Sequence, residues 1–201
     1  MHASSSNPTR STAEPASVAY PLDEFYARSG LLLPPLDVLD GAAVPEPYRS
    51  LLVHERDMTS TLENFHQAEI HLQLISREQR GADYFREVVL VLDGSEKPVE
   101  FGAICIHLER FPGPARLAIL EERFPLGRIL RDFGIASLSR PQAFLRLASD
   151  PTINGLLGLA GVQRLYGRRN NLLDPAGGSL AEIVEILPPA GAPPVAPRKH
   201  G

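Results

Sequence analysis

Residues 83–94, DYFREVVLVLDG, decide the fold. Side chains alternate between two faces along the run, which ends in Asp-Gly, so it reads as a β-strand entering a turn. Tyr84, Arg86, Val88, Leu90 and Leu92 share one face, and Phe85, Glu87, Val89 and Val91 the other. The first face is apolar except for Arg86. A guanidinium keeps its charge inside a protein, so an inward arginine needs a carboxylate or phosphate to offset the loss of water. From this strand alone, a structural ion pair and a ligand anion are equally good partners.

Working outward, KPVEFGAICIHL at 97–108 is a second strand, joined to the first through Asp93–Glu96 as a hairpin. Upstream, AEIHLQLISRE at 68–78 sets Ile70, Leu72 and Leu74 against Glu69, His71 and Gln73, the pattern of a half-buried strand. Before it, Met58–His66 reads as a short helix with Asp57 as N-cap. The Pro-rich segments LLLPPLD and AAVPEPY read as irregular wrapping. Downstream, GPARLAILEERF has helical spacing, and PLGRILRDFG is a short helix opened by Pro125 and closed near Gly134. A helical or irregular region follows. GVQRLYGRRNNLL and SLAEIVEILPP are then two more strands joined through DPAGG. Strands, helices and strands again, with hairpin connections, predict an α+β domain around a largely antiparallel sheet.

The chain has 201 residues, a formal net charge of -4 and a pI near 5.9, which speaks against a non-specific nucleic-acid or membrane-surface binder. Its one cysteine, Cys105, excludes an internal disulfide and a cysteine-built zinc site. The N-terminus lacks the apolar run of a secretory signal and no membrane-length apolar stretch follows, so a cytoplasmic location is expected. Tails at 1–18 and 191–201, rich in Ser, Thr, Pro and Ala, are expected to be disordered, leaving one domain at 19–190. The histidines His54, His66, His71 and His107 show no metal-ligand spacing, and no GxSxG nucleophile motif is present.

Four further features could carry chemistry. Glu182 and Glu185 each sit between apolar residues in SLAEIVEILPP, and periodicity does not decide which faces inward. Pro125-Leu126-Gly127 opens a helix whose first N–H groups lack intrahelical partners and can receive a carboxylate. Arg168-Arg169 in LYGRRNN is an unspecific cationic pair. Glu100, flanked by Val99 and Phe101, either adds negative charge near a pocket or pairs with an arginine.

Five pieces taken in order, RDMTSTLE at 56–63, FREVVLVLDG at 85–94, FPLGRIL at 124–130, LYGRR at 165–169 and EILPPA at 185–190, resemble the chorismate pyruvate-lyase family, the 4-hydroxybenzoate synthases. VEFGAI at 99–104 looks more like the actinobacterial and archaeal branch than the enterobacterial one. The resemblance implies a single domain with about six strands, helices covering a buried ligand pocket, and a monomer. It also implies a cofactor-free, metal-free elimination of pyruvate from chorismate. Carried onto this chain, Arg86 and Glu185 would be catalytic. Arg86 would hold the ring carboxylate with the backbone N–H groups of Met58 and Leu126, beside Gly127, and Glu185 would meet the ring hydroxyl. Arg168 would take the carboxylate of the leaving group. Gly102-Ala103 departs from the Gly-Arg pair of the enterobacterial branch and removes one cation. Two other readings stand beside the lyase: a non-catalytic domain of this fold that senses a small aromatic acid, and a related lyase for another carboxylated ring or enol ether.

Overall fold

A computed structural model describes residues 17–190, so the tails expected to be disordered lie, apart from residues 17 and 18, outside the described residues. A seven-stranded sheet runs in the order β1-β5-β6-β7-β4-β3-β2, every neighbouring pair antiparallel. Its strands are β1 (Leu36–Leu39), β2 (Ile70–Arg80), β3 (Asp83–Leu92), β4 (Pro98–His107), β5 (Leu138–Ala148), β6 (Arg164–Leu173) and β7 (Ser179–Leu187). The six helices are α1 (Leu22–Arg28), α2 (Tyr48–Leu52), α3 (Met58–His66), α4 (Gly113–Leu120), α5 (Leu126–Asp132) and α6 (Pro151–Leu157).

The α+β class and the antiparallel sheet are as the pattern predicts, with seven strands in place of about six. The additions lie where alternation is weak. β5, read as helical or irregular, contains Pro141, and its register against β6 shifts between Pro141 and Ala143, where a bulge accommodates the missing N–H. β1, a four-residue edge strand, begins in LLLPPLD and α2 begins at the last residue of AAVPEPY, the two segments read as irregular, while α1 lies before both.

Alternation divides the sheet into two faces. One packs Phe85, Val89, Phe101, Ala103, Val184 and Ile186 under Leu22 and Phe25 of α1 and Ile153 and Leu157 of α6. The other carries two separate apolar clusters. Leu51, Leu52 and Leu62 of α2 and α3 cover Leu72, Val88 and Leu90, while Ala115, Ile119, Ile129 and Leu130 of α4 and α5 cover Ile104, Ile106 and Leu172. A polar strip crosses the sheet between them. Asp57 caps α3 by accepting from Ser60 N–H at 2.8 Å. The outer edge, β2, ends in exposed ion pairs: Arg77 with Glu122, Arg80 with Glu24 and Glu78, and Arg28 with Glu78.

Gly167 lets β6 and β7 approach closely, since a Cβ there would stand 2.3 Å from the carbonyl oxygen of Glu185. Gly167→Ala is expected to cost about 3 kcal/mol or more in denaturant unfolding, because backbone and not a movable side chain blocks the space. Gly155 inside α6 meets nothing within 4 Å. Gly155→Ala is expected to stabilise by about 0.5–1 kcal/mol. Equal effects at the two sites would contradict the packing described.

Candidate functional site

Strand register builds the polar strip. Val88 of β3, Gly102 of β4, Glu185 of β7 and Arg168 of β6 form one row across four strands. Arg86, Ile104, Ile183 and Asn170 form the next row, and Glu100 lies one step beyond the first. All belong to the face that the two apolar clusters leave open. The register also decides between the glutamates: Glu185 faces this strip, while Glu182, on the opposite face, pairs with Arg169 at 3.1 Å.

These rows floor a cavity of about 70 Å³ roofed by the starts of α3 and α5. One water needs about 10–15 Å³ on this measure and a cavity that takes up benzene about 150 Å³, so the space holds several waters, and a ring enters only as α3 and α5 move off the floor. Leu72, Val88, Leu90, Ile104, Leu130 and Ile183 supply apolar walls. Of the residues named from the sequence, Arg86, Glu185, Met58, Leu126 and Gly127 all line it. A Cβ on Gly127 would stand 2.9 Å from Asp57 Oδ1 and 3.0 Å from Thr59 Oγ1, so glycine is what lets α5 start so close to α3.

Arg86 is 1 % exposed, and its Nε and Nη1 have no hydrogen-bond partner. Burial pushes its pKa down to about 10, still charged at neutral pH. Tyr84 and Glu122 act on it through space, but Glu122 is already held by Arg77 at 2.6 Å and by the Tyr84 hydroxyl. No carboxylate among the described residues forms a salt bridge with Arg86.

Arg168 sits differently from its expected place at a leaving group. It is absent from the cavity lining and wholly buried behind Glu185, to which its Nε donates. Its Nη1 donates to the carbonyl oxygens of His54 at 3.0 Å and Leu52 at 3.3 Å, and its Nη2 to that of Arg56 at 3.4 Å. The physical reason is register: Arg168 lies directly opposite Glu185, and two buried opposite charges on adjacent strands pair. His54 lies beside this pair. With 2.7 Å between its Nε2 and the Leu51 carbonyl oxygen, Nε2 carries the proton and Nδ1 accepts from Arg56 N–H at 3.2 Å. Burial, then the Arg168 charge, pushes the imidazole below its usual pKa and keeps it neutral.

Glu100 lines the cavity, is 4 % exposed, and leaves Oε2 without a partner. Burial and then Glu185 hold its carboxyl well above the usual carboxylate range. Its Oε1 lies 3.3 Å from where a Cβ on Gly102 would be, so the carboxyl leans across the glycine along the strip. Sequence reading left Glu100 open between added charge and an arginine partner; no salt bridge to it exists among the described residues. Asn170, whose Oδ1 accepts from Ser139 Oγ at 3.2 Å, was missed, although it shares the Arg168 face two residues on. Ala103, at the position of the missing cation, packs on the opposite face with Phe101 and Val184.

On that opposite face Asp83, Cys105 and His107 bring potential metal-ligand atoms within 4.8 Å of one another. Burial raises the Cys105 thiol to about 11, and His107 Nδ1 lies 2.7 Å from Asp83 Oδ1 in an ordinary imidazole–carboxylate contact. Nothing there leads to the cavity.

No family model matches the chain, and no curated protein matches it in sequence. Solved structures match in shape. The effector domain of PhnF from Mycobacterium smegmatis superposes with a TM-score of 0.50 over 66% of this chain and 88% of its own, at 16% identity. PhnF itself gives 0.49 over 86% and 95% at 14% identity, and the possible transcriptional regulator YydK from Bacillus subtilis gives 0.49 over 90% and 96% at 11%. At such identities the PhnF effector domain shares the fold with this chain, and the likeness goes no further.

Two predictions follow from the charges. Arg168→Met leaves Glu185 buried without its partner and is expected to cost about 3–5 kcal/mol in urea unfolding; a loss below about 1 kcal/mol would mean that water already reaches the pair. Glu100, with its pKa raised on folding, contributes stability that is present below the ordinary carboxyl pKa and is lost as pH rises toward the raised value. Glu100→Gln should therefore gain in melting temperature over the parent protein as pH rises from about 5 to about 8. A pH-independent difference would contradict the neutral carboxyl.

Proposed function

We propose that this chain binds a small carboxylated ring compound, with the carboxylate at Arg86 and the opposite end of the ring at Glu185. One observation carries the reading: a buried guanidinium with two unpartnered nitrogens lines a mostly apolar cavity. Desolvating that charge is offset once an anion enters, and the first N–H groups of α3 and α5 are available to share it. Apolar walls suit a ring. Within the strip Arg168 and Glu185 answer each other and Arg86 is left without a carboxylate, while the Asp57 carboxylate at the roof accepts from the Ser60 N–H. The fold shared with the PhnF effector domain supports ligand sensing as the use of such a site.

The far end favours a second reading, elimination of pyruvate from chorismate, which the ordered sequence resemblance also supports. Glu185, held by Arg168, would accept the proton of the ring carbon that bears the hydroxyl, or fix the hydroxyl itself. The ring then becomes aromatic as the neighbouring ether C–O bond breaks, and enolpyruvate leaves and takes up a proton to become pyruvate. Orientation of the ring and stabilisation of the departing charge are the protein's contributions. Chorismate's second carboxylate is what ranks this reading behind binding: Arg86 is the one guanidinium among the cavity-lining residues.

Incubation of the purified protein with chorismate in the absence of added metal, with product identification, separates the two. Release of 4-hydroxybenzoate and pyruvate supports the lyase. Tight calorimetric binding of 4-hydroxybenzoate without turnover supports sensing. Neither turnover nor binding of any carboxylated ring would sink both. Arg86→Met is expected to weaken binding at least about 100-fold, while raising stability by on the order of 1 kcal/mol because an uncompensated buried charge is gone.

A further inference from the structure

We infer that Glu100 is the specificity-determining residue of this cavity: its unpartnered carboxyl, reaching over Gly102, hydrogen-bonds the ligand at the Glu185 end, so that the two glutamates together select a ring bearing a hydroxyl opposite its carboxylate. This rests on the binding reading above and deepens it.

Three observations converge on Glu100. It is buried in the cavity lining with Oε2 unpartnered, the state of a group waiting for a partner from the space it faces. It leans over Gly102, whose missing side chain opens the way toward Glu185 in the same row. No hydrogen bond or ion pair joins it to the groups around the strip: Arg86 on β3, Arg168 on β6, Glu185 on β7, and Asp57 and Thr59 at the start of α3. The arginine that could have ionised it is committed to Glu185 and to three backbone carbonyls. A carboxyl so placed beside a second carboxylate keeps its proton, and burial acts in the same direction.

The pair then has complementary roles. Glu185 offers only lone pairs, and protonated Glu100 offers an O–H. A hydroxyl is the group that satisfies both, donating to Glu185 and accepting from Glu100. A ligand lacking it leaves the Glu100 carboxyl buried without a partner and Glu185 with Arg168 alone, a condition that favours discrimination against the missing hydroxyl.

Calorimetric titration of the full chain with benzoate and with 4-hydroxybenzoate, in the parent protein, Glu100→Gln and Glu100→Leu, tests the recognition. The parent protein should prefer the hydroxylated acid by on the order of 10- to 100-fold. Glu100→Gln, whose amide donates without a titrating proton, should keep most of that preference, and Glu100→Leu should reduce it to within about threefold. Equal affinity of the parent protein for both acids, or an undiminished preference in Glu100→Leu, overturns the inference while leaving the cavity reading intact. Failure of both acids to bind overturns the cavity reading, and the recognition with it. Infrared difference spectra of the parent protein against Glu100→Gln at neutral pH give a readout that needs no ligand. A protonated-carboxyl C=O band present only in the parent protein is expected, and its absence overturns the neutral state of Glu100.

Discussion

Two guanidinium groups are enclosed on one face of a single sheet, and only one of them has a protein carboxylate. Arg168 and Glu185, opposite each other on β6 and β7, hold one another out of water and lock the two strands in register. Such a pair is not a large source of stability in itself, since desolvation consumes most of the attraction. Its effect is to fix what the neighbouring groups can do. With Glu185 engaged from behind, Arg86 has no counter-ion across the floor, and Glu100 has no cation to ionise it. The cavity is thus cationic at one end and hydrogen-bonding at the other.

Packing explains why a cavity exists there at all. The opposite face of the sheet is closed by one continuous apolar cluster under α1 and α6. On the cavity face the apolar groups fall into two clusters, under α2 and α3 on one side and α4 and α5 on the other. The rows between them set Arg86, Glu185, Arg168, Asn170 and a glycine among Val88, Ile104 and Ile183, so the helices bridge the gap without filling it. Stability has been given up along this strip, as is usual where a site must be kept open and preorganised.

Much of this was legible in the sequence because it obeys simple periods. β2 alternates over its first half, β3 and β4 are long apolar runs joined through Asp93-Gly94, β6 and β7 are joined through DPAGG, α3 announces itself through Asp57, and α5 through Pro125. The inward arginine followed from the same alternation. What stayed hidden was relational. Whether Glu182 or Glu185 faces inward depends on which residue of β6 each opposes, and no single-strand pattern contains that register. The resemblance assigns Arg168 to a leaving group, while its partner in the structure, Glu185, lies seventeen positions away on the neighbouring strand. β5 and β1 escaped notice because Pro141, a bulge and a mixed polar surface blur the period at that margin of the sheet.

The charged end of β2 bears on how copies of this protein meet. An open strand margin exposes amide and carbonyl groups that a neighbouring chain can adopt as a template. Here Arg77, Glu78 and Arg80 tie that margin into links with Glu122, Glu24 and Arg28. An incoming strand would have to strip water and counter-ions from these side chains before its first ladder bond formed. Each link is weak as a source of folding energy, but together they make lateral growth of the sheet costly. The same residues that add little to holding one molecule together therefore raise the cost of pairing a second strand along the end of β2.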